Sequence, residues 1–238
     1  RIASIICFSR IASCLTISTC EISPGLSRIC SRSIFCNLTF VDSGRAWLDW
    51  CQKKTGLPMN VFLPPQNPQM RFYYDLTKYF PACFKSDLRL FWKLGNIYDN
   101  LEPLPDAVDT IKWLHDEGAI IWFLTGSLSH KQHVNKFDFL NKWCPFLELK
   151  WGGQGNRYEN ELIRVNDMRE KVNFAWDVLI DDRIEAFPSL EDNHNGYSIL
   201  MDTPYDQNCT DLMRVDAIVH GWGKGIKDHL EIILEGED

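Results

Sequence analysis

Two adjacent carboxylates, Asp181 and Asp182, follow directly on the apolar run Val178–Ile180, and Lys171 stands ten residues before Asp181. A short apolar run that ends in acids is typical of a buried parallel strand, and ligands bind beyond the carboxyl ends of such strands. Side by side, two carboxylates repel each other, so a nearby cation such as magnesium would keep both ionised. The lysine adds a place for an anion. An exposed Asp-Asp turn after a core strand is the alternative interpretation.

A second group of polar residues, Thr125-Gly126-Ser127, follows another continuous apolar run, Ala119–Leu124. A hydroxyl with nearby backbone N–H groups can bind phosphoryl oxygens, a lysine can balance their charge, and magnesium can bridge them to carboxylates. The hydroxyl, the lysine and the acid pair each come at the end or the start of a predicted strand. Together they predict a site for a phosphoryl group.

The elements that position these groups alternate between strands and helices from residue 101 onward. The first core strand is predicted over Ser33–Val41, and a helix begins at Asp42-Ser43 and ends at Gly56. Two aromatic-rich helical stretches are predicted over Met70–Phe80 and Asp87–Tyr98. The remaining predicted elements are a helix ended by Gly118, strand 119–124, helix 129–143, a Gly-rich polar loop at 150–160, strands 161–165, 177–181, 196–201 and 215–219, and a closing helix over 223–234.

This alternation predicts an α/β fold with a parallel sheet covered by helices on both faces and a small helical insert after the first strand. We divide the chain into a leader over 1–33, a core made of 34–44 and 101–238, and a helical cap over 45–100. Most of the aromatic rings of the cap are expected to form its core. One or two could instead stack on a flat heterocycle.

Composition excludes several classes of function. The 238 residues carry a formal charge of −7, which argues against a nucleic-acid polymer as partner. No run reaches the roughly 18 apolar residues of a membrane span. The nine cysteines include no CxxC pair and no cluster with histidine at zinc spacing. We expect free thiols in a reducing compartment, with a disulfide framework as the alternative.

The opening 33 residues differ from the rest of the chain. They are rich in Ser, Ile, Cys and Arg and contain a single acid, Glu21. This is the composition of an organelle transit peptide, and it equally fits upstream sequence translated in the wrong frame or a truncated gene start. We therefore expect a cytoplasmic protein, or a mitochondrial one if this leader is a transit peptide, and we expect the leader to pack poorly.

The order of these motifs resembles the haloacid dehalogenase (HAD) superfamily and, within it, the 5'(3')-deoxyribonucleotidases of phage and mitochondrial type. The similarity covers roughly residues 34–235. The residues that carry it are Leu101-Glu102-Pro103-Leu104-Pro105 with Ala107-Val108, Phe123-Leu124-Thr125-Gly126-Ser127, Lys171, Asp177 to Arg183, and Asp202-Thr203-Pro204-Tyr205.

The resemblance implies a Rossmann-like HAD core with a helical cap, and magnesium-dependent hydrolysis of nucleoside monophosphates through an aspartyl-phosphate intermediate. It implies that Thr125 binds the transferring phosphoryl group and that Lys171 stabilises it, with Gly126 and Ser127 also binding substrate. One member of the acid pair would ligate Mg²⁺, with Asp182 preferred to Asp181, together with the backbone carbonyl of Asn37. The rings of Trp47 and Trp92 would sandwich the base. Pairing into a homodimer stays open.

The first strand departs from the family pattern Asp-x-Asp-x-Thr. Leu38 to Ser43 fit the second half of that pattern, which places the two aspartates at Phe35 and Asn37. A phenylalanine cannot act as the nucleophile, and an amide has no proton to give the leaving alcohol. Two explanations compete: the first 37 residues are a mispredicted start joined to a working nucleotidase, or the chain binds without turnover.

Three functions follow as hypotheses. The leading one is a magnesium-dependent phosphatase acting on (deoxy)nucleoside monophosphates. The alternatives are a non-catalytic nucleotide- or phosphate-binding protein, which Phe35 and Asn37 favour, and a HAD phosphatase for another small phosphate ester.

Two further patterns are expected to carry no chemistry. His130 and His133 stand three apart on a predicted surface helix without a third ligand, so we expect solvated side chains and no metal site. The loop Gly152–Gly155 lacks the strand-to-helix setting of a dinucleotide fingerprint.

Overall fold

A computed structural model gives the structure of the protein for residues 2–7, 32–36, 40–56, 72–73, 89–152, 158–189, 196–202, 205–206 and 215–235. Its strands are β1 (Ile2–Cys7), β2 (Arg32–Cys36), β3 (Phe72–Tyr73), β4 (Ala119–Gly126), β5 (Lys150–Gly152), β6 (Glu161–Val165), β7 (Asp177–Asp181), β8 (Tyr197–Met201), β9 (Tyr205–Asp206) and β10 (Ala217–Val219). Its α-helices are α1 (Ser43–Thr55), α2 (Ala107–Asp116), α3 (His130–Trp143) and α4 (Asp228–Glu235), and α4 continues a π-helical turn over Trp222–Lys227. Short 3-10 helices span Arg89–Lys93, Pro145–Leu147, Met168–Asn173 and Ile184–Ala186.

Eight strands form the main sheet, in the order β10-β8-β7-β1-β2-β4-β6-β5. Every pairing in this sheet that does not involve β1 is parallel, which agrees with the prediction of an α/β fold. β1, from the leader, is antiparallel to its neighbours, and the chain otherwise starts at β2 in the middle of the sheet. From β2 it goes to β4 and then to β5 at the edge of the sheet, comes back to β6 between those two strands, and crosses to build β7, β8 and β10 on the other side. Such a reversal of direction is where open α/β sheets bind their ligands.

The two faces of the sheet bury different partners. On one face the α-helices pack through residues such as Ile111, Phe139 and Leu230 against Phe123 and Ile180 of the sheet. The other face is covered by Trp176, Phe187 and the 3-10 helix Ile184–Ala186, which contact the side chains of β4, β6 and β7 that point that way. Helical segments therefore cover both faces, with short 3-10 turns on the second one.

Local signals at the ends of α1 explain its bounds. The Asp42 carboxylate accepts a hydrogen bond from the backbone N–H of Arg45 at 2.8 Å, so the helix begins where the N-cap residue predicts. Gly56, with φ of 69°, ends it in the left-handed conformation that glycine adopts without strain. Trp47 and Cys51 lie on its buried face.

The segment 89–100, which we call the cover segment, lies against α3. The backbone N–H of Tyr98 donates to the Asn135 side-chain oxygen at 2.7 Å, and the amide of Asn135 donates to Asp99 at 2.6 Å. The Tyr98 ring also lies 5.6 Å from the ammonium of Lys136, within the range of a cation–π contact. The cover segment is therefore attached to α3 through two neighbouring residues of that helix, Asn135 and Lys136.

Three predicted elements are wrong in part. Within the described part of the helix predicted over Asp87–Tyr98, only Arg89–Lys93 is helical, as a short 3-10 helix, and turns follow it. The helix predicted over Met70–Phe80 contains β3, whose Phe72 and Tyr73 pair in parallel with β9; the other residues of that stretch lie outside the described part of the chain. The loop predicted over 150–160 begins with β5, which pairs with β6 at the edge of the sheet. A three-residue edge strand offers too short a pattern to recognise from sequence.

The division into leader, core and cap stays a prediction. Among the described residues, no helix has the length and apolarity needed to cross a bilayer. Cys51 and Cys144 are free and buried, and burial raises the pKa of both thiols to about 12.

Candidate active site

The predicted site residues come from two strands that flank β2. Thr125 and Gly126 end β4, while Asp181 ends β7 and is followed by Asp182. Because β2 pairs with both β4 and β7, these two carboxyl ends stand on either side of the point where the sheet changes direction. The fold thus gathers the predicted polar residues at the edge where ligands are expected.

On the β4 side, the Thr125 hydroxyl is bound by a lysine that the sequence analysis missed. Lys136 reaches from α3, and its ammonium donates to Thr125 Oγ1 at 2.5 Å and to the Gly126 carbonyl at 2.6 Å. Thr125 is 1% exposed and Lys136 4%. Among the described residues, the ammonium of Lys136 therefore has hydrogen bonds to two neutral oxygens and no ion pair.

This environment makes the positive charge of Lys136 costly. Burial, and secondarily the nearby charge of Lys171, lowers the pKa of Lys136 from 10.5 to about 7. A nearby anion would act in the opposite direction and favour the charged form.

On the β7 side, Lys171 and Asp181 form a buried ion pair. The ammonium lies 2.6 Å from Asp181 Oδ2, and neither side chain is exposed to solvent. The other oxygen of Asp181 accepts the backbone N–H of Arg183 at 2.9 Å. Burial raises the pKa of the Asp181 carboxyl, the Lys171 charge opposes that shift, and the neighbouring Asp182 adds to it.

Asp182 has the more available carboxylate of the pair. Its side chain is buried, and its Oδ1 atom has no hydrogen-bond partner among the described residues. Such an atom suits a Mg²⁺ ion, which prefers carboxylate oxygens. Within the described part of the chain, no group of three His, Cys, Asp or Glu side chains could hold a metal, so protein ligands beyond the pair would have to be backbone oxygens or residues outside that part.

Comparison with known families identifies the chain at this point. The sequence pattern of the family described as 5' nucleotidase, deoxy (pyrimidine), cytosolic type C protein matches residues 66–223, well over half of the chain. The chain belongs to this family. No curated protein matches it.

Membership in this 5'-nucleotidase family confirms the resemblance to HAD-type deoxynucleotidases and a 5'-nucleotidase type of phosphatase. The match contains Thr125, Lys136, Lys171 and the acid pair. It begins after α1, so Phe35 and Asn37 lie outside it. Of those two, only the backbone of Phe35 is described: it pairs with Leu179, two residues before Asp181. Asn37 lies outside the described residues.

Ser127 contacts His133, and this contact contradicts the prediction that His133 is solvated. His133, predicted to be solvated, is 2% exposed, and its Nδ1 atom lies 3.3 Å from Ser127 Oγ. Burial, and then the charges of Lys136, Arg164 and His130, lower the pKa of His133 to about 4. The prediction was wrong because the helix turns its His133 face toward the site, whereas His130 is exposed as expected.

The two tryptophans predicted to hold a base lie next to each other, Trp47 on α1 and Trp92 in the cover segment. Trp47 is 2% exposed and its ring centroid lies 6.0 Å from that of Trp92, which is half-buried. Gly126, also predicted to bind substrate, is exposed, and apart from its chain neighbours no described residue has an atom within 4 Å of where a Cβ would stand. The roles of these residues stay predictions.

Proposed function

We propose that this site is a magnesium-dependent phosphatase centre that acts on (deoxy)nucleoside monophosphates. The observation that carries the proposal is the pair of buried ammonium groups, Lys136 and Lys171, of which only Lys171 has a hydrogen-bonded carboxylate within the described part of the chain. A buried cation without a counter-ion is unfavourable, and a bound dianion would supply the missing negative charge. A phosphoryl group fits this need, since its oxygens can also accept the hydroxyl protons of Thr125 and Ser127.

Magnesium suits the acid pair. Asp182 is the first candidate ligand because its Oδ1 atom has no hydrogen-bond partner among the residues that the structure describes, whereas both oxygens of Asp181 accept hydrogen bonds. The backbone carbonyl of Asn37, which the resemblance implies as a ligand, would complete the protein's share. When bound, the ion would offset the negative charge of the phosphoryl oxygens.

Position 35 decides whether this chain turns over its ligand. In the family pattern, an aspartate at position 35 attacks phosphorus, the ester P–O bond breaks, and the acid at position 37 protonates the leaving alcohol; water then hydrolyses the aspartyl phosphate. The backbone of Phe35 in β2 pairs with Leu179 of β7, two residues before Asp181, which is consistent with a nucleophile position. Phenylalanine has no nucleophilic atom, so a second candidate function is binding of the nucleotide without hydrolysis.

Two observations support a nucleotide as the substrate. The description of the matching family names deoxy and pyrimidine, and the half-buried ring of Trp92 in the cover segment could stack on a base.

The test compares the chain as it stands with a Phe35→Asp/Asn37→Asp variant, with phosphate release from deoxynucleoside monophosphates as the readout. Magnesium is supplied to both, and ribose 5-phosphate serves as the control ester. Release by the variant alone supports an intact site whose first motif is lost, and so favours the binding function for the natural chain. Release by the unaltered chain would show that positions 35 and 37 were wrongly assigned. If a sugar phosphate is hydrolysed and nucleotides are not, the nucleotide class is wrong.

A further inference from the structure

His133 is a buried side chain beside the candidate site that the proposed function leaves without a role. It lies one turn before Lys136 on α3, and its Nδ1 atom is 3.3 Å from the Ser127 hydroxyl. Ser127 is 7% exposed, so both members of this contact are withdrawn from solvent. Which of the two donates the hydrogen bond depends on the tautomer of the imidazole.

The surroundings keep this imidazole neutral and fix its plane. Lys136, Arg164 and His130 are positively charged or chargeable groups around it, and together with burial they disfavour the imidazolium form. On another side the ring of Trp151, from β5, stands edge-on to it with the centroids 4.5 Å apart and the planes at 90°. A neutral ring has one N–H donor and one acceptor nitrogen.

We propose that His133 is a positioning residue whose Nδ1–H donates to Ser127 Oγ, so that the Ser127 hydroxyl proton points at the bound phosphoryl group. The proposal rests on the proposed function, because it needs an anion beside Ser127. A hydroxyl has a single proton. If that proton went to His133 Nδ1, only lone pairs of the serine oxygen would face the anion and would repel it.

A neutral donor also suits the electrostatics of the site. Lys136 and Lys171 already interact unfavourably, and a third cation would add to that repulsion. A neutral N–H that donates to the hydroxyl strengthens the serine as a donor through the chain of hydrogen bonds without adding charge. His133 therefore polarises Ser127 while the lysines supply the positive charge.

The tautomer can be observed directly in the full chain. In ¹⁵N-histidine-labelled protein, long-range ¹H–¹⁵N spectra distinguish a protonated Nδ1 from a protonated Nε2. The His133 signals are assigned by their loss in His133→Asn, and His130→Asn, on the exposed face of the same helix, is the matched control. We expect a protonated Nδ1 and an unprotonated Nε2. A protonated Nε2 with a bare Nδ1 would overturn the proposal, whatever the protein binds.

The contribution of this hydrogen bond to anion binding is measured by titration calorimetry with sulfate, which is a dianion across the working pH range. We expect His133→Leu to weaken sulfate binding about tenfold, in the range of a lost hydrogen bond to a charged group, and His133→Asn to restore most of it because its amide can donate to Ser127. Ser127→Ala should lose as much as His133→Leu, and combining the two should lose little more. A His133→Asn variant that unfolds at the same temperature as the natural chain yet binds as poorly as His133→Leu would overturn the positioning role. Failure of the natural chain to bind sulfate would count against the proposed function, while the tautomer result would still decide the hydrogen bond.

Discussion

The two sides of the candidate site bury the same kind of side chain in opposite ways. On the β7 side, the Lys171 ammonium contacts a carboxylate at 2.6 Å. On the β4 side, the Lys136 ammonium contacts only the hydroxyl and carbonyl oxygens of Thr125 and Gly126 among the described residues. Burial opposes the charge of both, but only Lys171 has a built-in counter-ion.

The two lysines therefore differ in whether their positive charge has a partner within the protein. Lys171 and Asp181 depend on each other, because removing either leaves the other buried without compensation. Lys136 can instead lose its proton, and its charge returns when an anion arrives. We therefore expect the site to combine a fixed ion pair with a lysine whose charge depends on the proposed anion.

The largest effect is expected from breaking the fixed pair. Asp181→Asn removes the carboxylate and leaves the Lys171 ammonium buried, so the free energy of unfolding should fall by about 3–5 kcal/mol. The matched change on the other side, Lys136→Met, removes a buried cation that has no counter-ion and should leave that free energy unchanged or raised. Urea denaturation without metal measures both: at pH 9 for Asp181→Asn, where the carboxyl is ionised despite its raised pKa, and at pH 6 for Lys136→Met. A larger loss in Lys136→Met than in Asp181→Asn would contradict the distinction between the two lysines.

The pH dependence of stability should come next in size. The folded pKa of Lys136 is about 7, below its ordinary 10.5, so between these values the unfolded chain holds a proton that the folded chain has lost. Stability of the natural chain should therefore rise with pH across this window relative to Lys136→Met. The change should amount to a few kcal/mol, since one pKa unit corresponds to about 1.4 kcal/mol.

Urea unfolding at pH 7 and pH 10 checks this difference. Lys142→Met, an exposed lysine on the same helix, is the control and should follow the natural chain at both pH values. If the natural chain and Lys136→Met differ by the same free energy of unfolding at pH 7 and at pH 10, Lys136 keeps its proton in the folded protein.

The protonation state of Lys136 should also affect the affinity for anions. Sulfate affinity should fall as the pH rises above 7, because binding then has to restore the Lys136 proton. Lys136→Met should bind sulfate at least about tenfold more weakly at pH 6, and its remaining affinity should change less with pH. Titration calorimetry at pH 6, 7.5 and 9 measures this. Equal affinities of the two proteins at pH 6 would remove Lys136 from the anion site.

The smallest effect is expected from Asp182→Asn, which removes the proposed Mg²⁺ ligand. Mg²⁺ should raise the melting temperature of the natural chain by a few degrees, and Asp182→Asn should abolish that rise while changing the metal-free melting temperature little. Glu185→Gln serves as the control, since this carboxylate is directed to Arg183, with 2.7 Å between the charged atoms. A magnesium response that survives Asp182→Asn would place the metal elsewhere.

Much of the fold could be predicted because its elements carry strong local signals. The apolar run before Asp181 predicted β7 to the residue, and Asp42 and Gly56 predicted both ends of α1. The regular alternation of strands and helices after residue 101 predicted the parallel sheet. Each of these signals depends on neighbours along the chain, which sequence patterns describe well.

Lys136 could not be predicted because the helix that holds it breaks the usual pattern. The spacing of Val134, Phe137 and Leu140 favours these residues as the inward face, whereas the buried face of α3 is formed by Gln132, His133, Lys136, Phe139 and Leu140. A helix that borders a polar site buries polar residues, so hydrophobic periodicity points to the wrong face. One available signal was the short distance along the chain between α3 and Thr125-Gly126-Ser127.

The contact between the cover segment and α3 has a consequence for kinetics. Tyr98 lies over the Lys136 ammonium and is tied to Asn135, the preceding residue of the helix. With only 4% of Lys136 exposed, solvent reaches its ammonium when this cover lifts. We therefore expect the rate of proton exchange at Lys136 to follow how often the contact between Tyr98 and this helix opens.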